Sequence, residues 1–456
     1  MLLWQLFRKQ GKSLQFRVRC WVRCSTVGFL VCFCSARLCW SQEYTPFQRA
    51  EVQSMLQDVT GDVKKHYYDS NLHGVDWDAK VREAKEKIDK ADSLNRALTA
   101  VAVVLDSLKD SHTVFIPPGR PYVHDYGFQM QMIGDRCYVT RVRPGTDAEG
   151  KGVKAGDEIV ALNGYAPTRD DFLRMEYLFW VLRPQPGLRL KLRSPDGDER
   201  QIDVIAKFRQ LQRVRDTSGS AIFDFKREME DKEHLARARY AERGNDLLIV
   251  KFPEFLPSLG EVDSVVKKMR NHKSVVIDLR DDPGGTEDTL MSLLGGMFKN
   301  KVKVGDLSRR NATRPIETVP FHTGFDGKLV VLIDNKSASA AEVFARVIQL
   351  EKRGSIVGDR SAGAVMEAEF FQHQTGGDAG GAFIVYGAEI TVADIIMTDG
   401  QSLEHKGVTP NVVVVPTAGD LASGRDPALA KAAELLGVTI TPEEAGKLIP
   451  YEWPKE

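Results

Sequence analysis

The alternation of apolar and polar residues divides the chain into segments of helical and strand character. Over residues 46–108, apolar positions recur at three- and four-residue spacing, which predicts a group of packed helices. Over residues 122–208 they mostly alternate with a period of two, which predicts a β-rich unit. From Asp246 onwards, short apolar strands alternate with helical segments, and this order predicts an α/β core.

The last N-terminal helix is followed by a junction that contains a histidine. The sequence Lys-Asp-Ser-His-Thr occupies residues 109–113, and two prolines at 117 and 118 prevent the helix from continuing. We therefore expect His112 in an ordered junction. The chain has nine histidines, and spacing alone does not choose a catalytic base among them. His112 stands out because Ser111 and Thr113, both small and hydroxylic, flank it.

A turn of small residues joins an apolar strand to a helix within the predicted core. The strand, residues 329–333, leads into Asn-Lys-Ser-Ala-Ser-Ala-Ala-Glu over residues 335–342, and a helical pattern follows. Such a turn leaves room for a substrate backbone and places Ser339 where the amides of a helix N-terminus point. Ser339 is therefore a candidate nucleophile. The alternative is an ordinary N-cap serine among alanines that pack tightly.

Acyl transfer by a serine also needs two amide groups that face the developing oxyanion. The amide of Ala340, in the first turn of the helix, is one natural donor. The second is expected from Gly284 or Gly285, in a Gly-Gly turn after a buried strand. The alternative is that this loop is a tight structural turn with no catalytic role.

Composition and charge exclude several classes of protein. With 456 residues, of which 42% are hydrophobic and 28% charged, the chain should form two to four domains. Its 63 basic and 63 acidic residues give no net charge, so we expect no nucleic-acid partner. Five of the six cysteines lie in the first forty residues and leave only Cys137, so we expect no disulfide framework, no metal site and no cofactor.

Basic residues followed by a short apolar segment predict that residues 1–41 are a secretory signal peptide, with cleavage near Ala36 or Ser41. An uncleaved membrane anchor is the alternative. The mature protein is then expected to be periplasmic or secreted, with no stable membrane span. The other predicted units are a helical domain (42–118), a β domain (119–208), a charged linker (209–245), the α/β core (246–417) and a helical tail (418–456).

The β unit resembles a PDZ domain. The segment 152–164 reads Gly-Val-Lys-Ala-Gly-Asp-Glu-Ile-Val-Ala-Leu-Asn-Gly, which is close to the pattern of that family. The resemblance implies that a peptide adds as a strand at Tyr126, Gly127, Phe128 and Met130, with its carboxylate near the backbone amides of the first three. A lid or spacer that binds no peptide is the alternative.

Four ordered motifs resemble the tail-specific, or C-terminal processing, serine proteases. They are Val-Ile-Asp-Leu-Arg at 276–280 with the Gly-Gly turn, Ser-Ala-Ser-Ala-Ala-Glu at 337–342, Ile-Val-Gly at 356–358 and Gly-Val-Thr-Pro at 407–410. The resemblance implies a multidomain α/β protein with a crotonase-like core, an inserted PDZ-like domain and Ser339 as nucleophile.

One departure from that family changes the expected base. Members with a serine–lysine dyad carry a lysine after the Ile-Val-Gly strand, where this chain has Gly363-Ala364-Val365. Lys336 lies near the serine, but we expect it to point into solvent.

The departure fits a branch that resembles tricorn core protease, in which a serine–histidine pair and a late glutamate serve the nucleophile. Those positions match Ser111, His112 and Glu404. The resemblance implies that His112 is general base and then acid, while Ser111 and Glu404 orient and polarise its ring.

The sequence thus predicts a secreted serine endopeptidase that captures unstructured or C-terminal protein segments in its PDZ-like domain. One alternative is a catalytically silent peptide- or lipid-binding protein on the same fold. Another is a scaffold that recruits partners through the PDZ-like unit. Protein or peptide substrates are the expected partners, and an oligomer is left open.

Overall fold

The computed structural model describes residues 44–120, 122–210, 235–256, 258–318, 324–375 and 384–454. The predicted signal peptide and most of the predicted charged linker lie outside these ranges. Within them, no helix is long and apolar enough to cross a membrane.

The predicted N-terminal helices are present as α1 (Pro46–His66), α2 (Trp77–Asp89) and α3 (Leu94–Asp106). Thr45 begins α1, because its side chain accepts from the Gln48 amide while the Gln48 side chain accepts from the Thr45 amide. Apolar side chains on one stripe of α1 are fully buried against the other two helices, as the spacing predicts: Val52, Met55, Val59 and Val63.

The β-rich unit contains an antiparallel sheet with the strand order β3-β4-β5-β6-β7, so β3 lies at an edge. Its strands are β3 (Phe128–Ile133), β4 (Arg136–Val142), β5 (Glu158–Leu162), β6 (Gly187–Arg193) and β7 (Glu199–Ile205). The first and last strands of the unit, β2 (Tyr122–Asp125) and β8 (Lys207–Gln210), pair with each other. Its helices are α4 (Asp147–Gly150) and α5 (Phe172–Glu176), which continues as a π-helical turn (Tyr177–Leu182).

The α/β core is built on a sheet with the order β18-β15-β14-β11-β10-β9. Its strands are β9 (Arg239–Arg243), β10 (Leu247–Lys251), β11 (Ser274–Asp278), β14 (Lys328–Ile333), β15 (Ser355–Gly358) and β18 (Val412–Val413). All are parallel except β9, which pairs antiparallel with β10.

Helices cover both faces of this sheet, which is why its central strands are continuously apolar. Val250 and Ile277 pack towards α6 (Leu259–Met269), α7 (Glu287–Gly295) and α8 (Ala340–Leu350). Ile249 and Val276 pack towards the tail helices α10 (Pro427–Leu435) and α11 (Pro442–Leu448). A short helix, α9 (Ala418–Ser423), precedes them.

A second, antiparallel sheet was not predicted from the sequence. It consists of β1 (Val114–Ile116), β12 (Lys303–Arg309), β13 (Thr313–Glu317), β16 (Met366–Thr375) and β17 (Ile384–Met397). Only Met366 is buried in strand β16, and its apolar residues do not alternate with polar ones along its whole length, so its pattern gives a weak strand signal. Strand β1 pairs with β17, with Phe115 opposite Ala388, and this pairing attaches the His112 junction to the core.

Strand β9 lies inside the segment predicted as a charged linker. Its residues are mostly exposed and charged, so the composition resembles a solvated segment although the backbone pairs with β10. The core sheet therefore begins before Asp246.

Candidate active site

Ser339 lies in the turn between β14 and α8, and its backbone is strained. Its φ of 52° and ψ of −118° fall in a region that non-glycine residues rarely adopt. The Ser339 amide donates to the Ala364 carbonyl at 2.8 Å. The neighbouring Ser337 is fully buried and donates to the Leu279 carbonyl at 2.8 Å. Ser337 is thus a structural serine, while Ser339 is partly exposed at the start of the helix.

The Gly-Gly loop lies directly against this turn. A Cβ atom added to Gly284 would lie 2.6 Å from Ser339 Cβ and 3.0 Å from the Ala340 nitrogen. The Gly284 amide donates to Asp282 Oδ1 at 2.8 Å and is therefore occupied. Within the described part of the chain, the amides of Ala340 and Gly285 have no protein acceptor. Of the two predicted glycine donors, only Gly285 keeps its amide available.

Ser111, His112 and Glu404 form one hydrogen-bonded cluster. The Ser111 hydroxyl donates to Glu404 Oε2 at 2.9 Å and lies 2.7 Å from His112 Nδ1, while the Ser111 amide donates to Glu404 Oε1 at 2.7 Å. Because the single hydroxyl proton is given to Glu404, His112 Nδ1 must donate to Ser111. This assigns the proton to Nδ1 and leaves Nε2 as the basic nitrogen of the ring.

Asp110, which was not among the predicted site residues, fixes the junction. Its Oδ1 accepts from the amides of His112 and Thr113 and from the Thr391 hydroxyl, at 3.0, 2.6 and 2.8 Å. Its Oδ2 accepts from the Tyr67 hydroxyl at 2.7 Å. An aspartate that binds amides two and three residues ahead is a recognisable turn signal, so the sequence contained a sign of this role.

The segment 361–365 connects the cluster of Ser111, His112 and Glu404, called the base cluster below, to Ser339. Val365 donates its amide to Glu404 Oε2 at 2.9 Å, and the preceding Ala364 carbonyl accepts from Ser339. No hydrogen bond joins the Ser339 hydroxyl to the His112 ring among the contacts of the described residues. The two residues are instead linked through Glu404 and this segment. Catalytic hydrogen bonds are often long before substrate binds.

Burial sets the ionisation of the cluster. Burial lowers the pKa of His112 below its usual 6.5, although the nearby Asp110 carboxylate opposes this effect. Burial also raises the pKa of Glu404, against the hydrogen bonds that it accepts from Val365 and Ser111. A neutral histidine near pH 7 is the form that accepts a proton.

Lys336 does not point into solvent, contrary to the expectation from the sequence. Its side chain is 22% exposed, and its Nζ lies 3.4 Å from Glu176 Oε1 and 4.0 Å from Asp281 Oδ1. The Nζ atom also lies over the Phe172 ring, 5.8 Å from the ring centroid. Burial alone would lower the pKa of Lys336, but Glu176, Asp281 and Asp334 outweigh it and raise that pKa. Lys336 therefore stays charged and joins the nucleophile turn to α5 of the β unit.

The predicted peptide-binding residues lie together at the start of β3, but their side chains are inside the β unit. Tyr126, Phe128 and Met130 are 2%, 6% and 2% exposed. The Gly127 amide donates to Asp125 Oδ1 at 2.8 Å, so this amide is already occupied. The outer edge of β3 has no partner strand among the described strands, and only its backbone is suited to pair with a peptide.

A cavity of about 480 Å³ lies beside the Ser111 cluster, between α3, α5 and the segment 361–365. Ser111 and Ala364 form part of its wall, and Phe115, Leu178 and Leu182 contribute apolar surface. Charged side chains such as Asp106, Arg174 and Lys406 also line the cavity, so its wall is of mixed character. Neither Ser339 nor His112 forms part of the wall. A cavity of this size with convergent polar groups is a common form of ligand site.

Comparisons with known proteins show which families the chain resembles. Residues 246–414 match peptidase family S41, and residues 48–93 match the tricorn protease C1 domain. Carboxyl-terminal-processing peptidase 3 of Arabidopsis thaliana chloroplasts is 24% identical over an alignment of 383 residues, which covers 79% of this chain and 68% of the relative. A tail-specific protease of Haemophilus influenzae is 24% identical over 63% of this chain, but the match covers only 42% of that relative.

Among solved structures, mature CPAF superimposes with a TM-score of 0.61 at 15% identity, covering 82% of this chain and 94% of that one. This likeness shows the shared multidomain α/β fold. The matches confirm the predicted resemblance to tail-specific proteases and to tricorn. The chain therefore contains a domain of peptidase family S41 and a tricorn C1 domain, and it is a serine peptidase.

Proposed function

We propose that this protein is an endopeptidase in which Ser339 is the nucleophile and His112 is the general base. The observation that carries the proposal is the Ser111 hydroxyl, which lies between His112 Nδ1 and Glu404. Because this hydroxyl accepts from Nδ1 and donates to the carboxylate, it holds the ring in the tautomer that leaves Nε2 basic.

In this mechanism, His112 Nε2 takes the proton of the Ser339 hydroxyl as Oγ attacks the scissile carbonyl. The amides of Ala340 and Gly285 stabilise the resulting oxyanion. The protonated ring then gives its proton to the leaving amine, and the peptide bond breaks to leave an acyl-enzyme. Water, activated by the same histidine, hydrolyses that ester. Glu404 stabilises the imidazolium through Ser111 in both halves of the reaction.

The substrates are unstructured or C-terminal segments of proteins. The unit containing β3 acts as a PDZ-like domain, and a peptide adds to the free edge of β3 by main-chain pairing. The cavity beside Ser111, which apolar and charged side chains line together, takes a substrate side chain. The core is crotonase-like, and the protein works outside the cytoplasm after its signal peptide is removed.

Replacement of Ser339 by alanine tests the proposal. The S339A protein should unfold at the same temperature as the wild type and should not cleave an unstructured protein substrate. Cleavage by S339A at the wild-type rate would refute the assignment. If the wild-type protein is folded but cleaves no substrate, the alternative of a catalytically silent binding protein is favoured instead.

A further inference from the structure

Glu342, in the first turn of α8, is a fully buried carboxylate that the mechanism above does not use. Its exposure is 0%, and no basic side chain pairs with it among the described residues. A buried carboxylate is costly unless hydrogen bonds satisfy it. Its partners therefore indicate why it is there.

Four groups of the described chain donate to this carboxylate. Ser361 Oγ and the Gly363 amide donate to Oε1 at 2.6 and 2.8 Å, and the amides of Ala364 and Ser339 donate to Oε2 at 2.9 and 3.2 Å. One side chain thus holds the backbone of the nucleophile itself and the segment 361–364 that lies against it.

The same segment holds the base cluster from its other side. Gly363 accepts from the His405 amide at 2.8 Å, and Val365 donates to Glu404 at 2.9 Å. Ser361 Oγ, which donates to Glu342, accepts from the Val408 amide at 2.6 Å. The hydrogen bonds run without a gap from Glu342 through this segment to Glu404, and then through Ser111 to His112.

We infer that Glu342 is a positioning residue that fixes the distance between the Ser339 turn and the Glu404–Ser111–His112 cluster. The inference rests on the proposed roles of Ser339 and His112. The strained backbone of Ser339 needs such a constraint, because φ and ψ in that region persist only where the surroundings impose them. Both oxygens of the Glu342 carboxylate accept two hydrogen bonds each, so neither oxygen carries a proton when all four bonds are formed. Glu342 therefore acts in its ionised form.

The ionised form has a consequence for activity at low pH. Burial raises the pKa of Glu342 to about 7, although the donors from Ser361, Ala364, Gly363 and Ser339 oppose this. Protonation gives the carboxyl a hydrogen that must face one of its four donors, which weakens the constraint. The next ionisable groups along the hydrogen-bonded path are Glu404 and His112, and His112 titrates below 6.5.

The test compares E342Q and E342D with the control E351Q, which changes an exposed glutamate at the end of the same helix. Active sites are counted with a fluorophosphonate, and kcat and KM are measured per active site between pH 5 and 9. E342Q should lower kcat at least tenfold with KM changed less than threefold. In its pH profile, the fall of kcat on the acid side should move to lower pH. E342D should recover part of kcat, and E351Q should match the wild type.

A purely structural role gives a different result. In that case E342Q would lower the unfolding temperature, but kcat per titrated site and the fall of kcat on the acid side would stay at wild-type values, and the inference would be wrong. An inactive, unlabelled wild type would refute the proposed function itself, so the two failures are distinguishable.

Discussion

The hydroxyl of Ser111 lies 2.9 Å from Glu404 Oε2, although the two residues are 293 positions apart in the chain. The contact joins the junction after the N-terminal helices to the loop before β18. It also decides the tautomer of His112, since the proton that Ser111 gives to Glu404 cannot be given to the ring. Both the acid and the base chemistry proposed for His112 depend on this bridge.

Removal of the bridge should therefore slow the reaction without unfolding the protein. S111A should lower kcat/KM about 100-fold, because His112 loses the acceptor that holds its Nδ1 proton. Peptide hydrolysis and thermal unfolding measure the two effects. S264A, an exposed serine on α6, serves as the control and should leave both unchanged. Wild-type kcat/KM in S111A would show that the bridge does not orient the base.

The pH dependence of kcat/KM should show two ionisations on the acid side. Glu342 protonates near pH 7, and His112, whose pKa burial lowers, protonates below 6.5. The slope of log kcat/KM against pH should thus rise from one towards two as the pH falls below 6.5. A single ionisation above pH 7 would contradict a histidine of lowered pKa as the base.

Linkage predicts opposite effects of these two groups on stability. The pKa of Glu342 is 4.5 in the unfolded chain and about 7 in the folded protein. Its contribution to stability is therefore present below pH 4.5 and is lost as the pH rises to 7. His112 has a folded pKa below its unfolded 6.5, so its contribution is present above 6.5 and is lost as the pH falls. In urea unfolding experiments, the free energy of unfolding of the wild type should therefore fall between pH 4.5 and 7. The corresponding fall should be absent in E342Q. An identical pH dependence in both proteins would rule out this titration.

A side chain at Gly284 should disable the nucleophile turn. The φ of Gly284 is +100°, and an added Cβ would lie 2.6 Å from Ser339 Cβ, with the Ala338 carbonyl at 2.9 Å. G284A should therefore lower kcat at least about 100-fold, a loss comparable to that of an oxyanion donor. G61A is the matched control, because no atom lies within 4 Å of its added Cβ. Its helical position predicts a gain of about 1 kcal/mol in stability. Normal fluorophosphonate labelling of G284A would contradict this account of the loop.

Loss of the Lys336 charge should weaken the contact between the β unit and the core. K336M removes the partner of Glu176, and leaving that mostly buried carboxylate unpaired should cost about 2 kcal/mol. Hydrogen exchange of α5 should accelerate in K336M. The control K267M breaks an exposed pair with Asp263 and should cost less than about 0.5 kcal/mol. Unchanged exchange in α5 would show that Lys336 does not hold the β unit.

The local pattern predicted the helices, the β unit and the core strands, because each of these buries a regular apolar stripe or a continuous apolar run. It did not predict β16, in which only Met366 is buried, or β9, whose charges resemble those of a linker. In both cases the strand is held by backbone pairing to a neighbour, which leaves little trace in the residues themselves.

The candidate site was only partly predictable for a similar reason. Ser339 follows from a strand-to-helix turn, whereas its association with His112 and Glu404 came from a family resemblance and not from spacing. Lys336 was misjudged because the surface it pairs with belongs to α5, more than 150 residues earlier. Glu342 was overlooked because a glutamate in the first turn of a helix is ordinary unless its burial is known.

Mass spectrometry of fluorophosphonate-treated protein tests directly whether Ser339 is a nucleophile that His112 activates. We expect one adduct, on the peptide that carries Ser339, and a labelling rate that falls at least about 100-fold in H112A. H66A, which changes a histidine of the N-terminal helices, should label like the wild type. Labelling of another residue, or an equal labelling rate in H112A and wild type, would contradict the roles of Ser339 and His112.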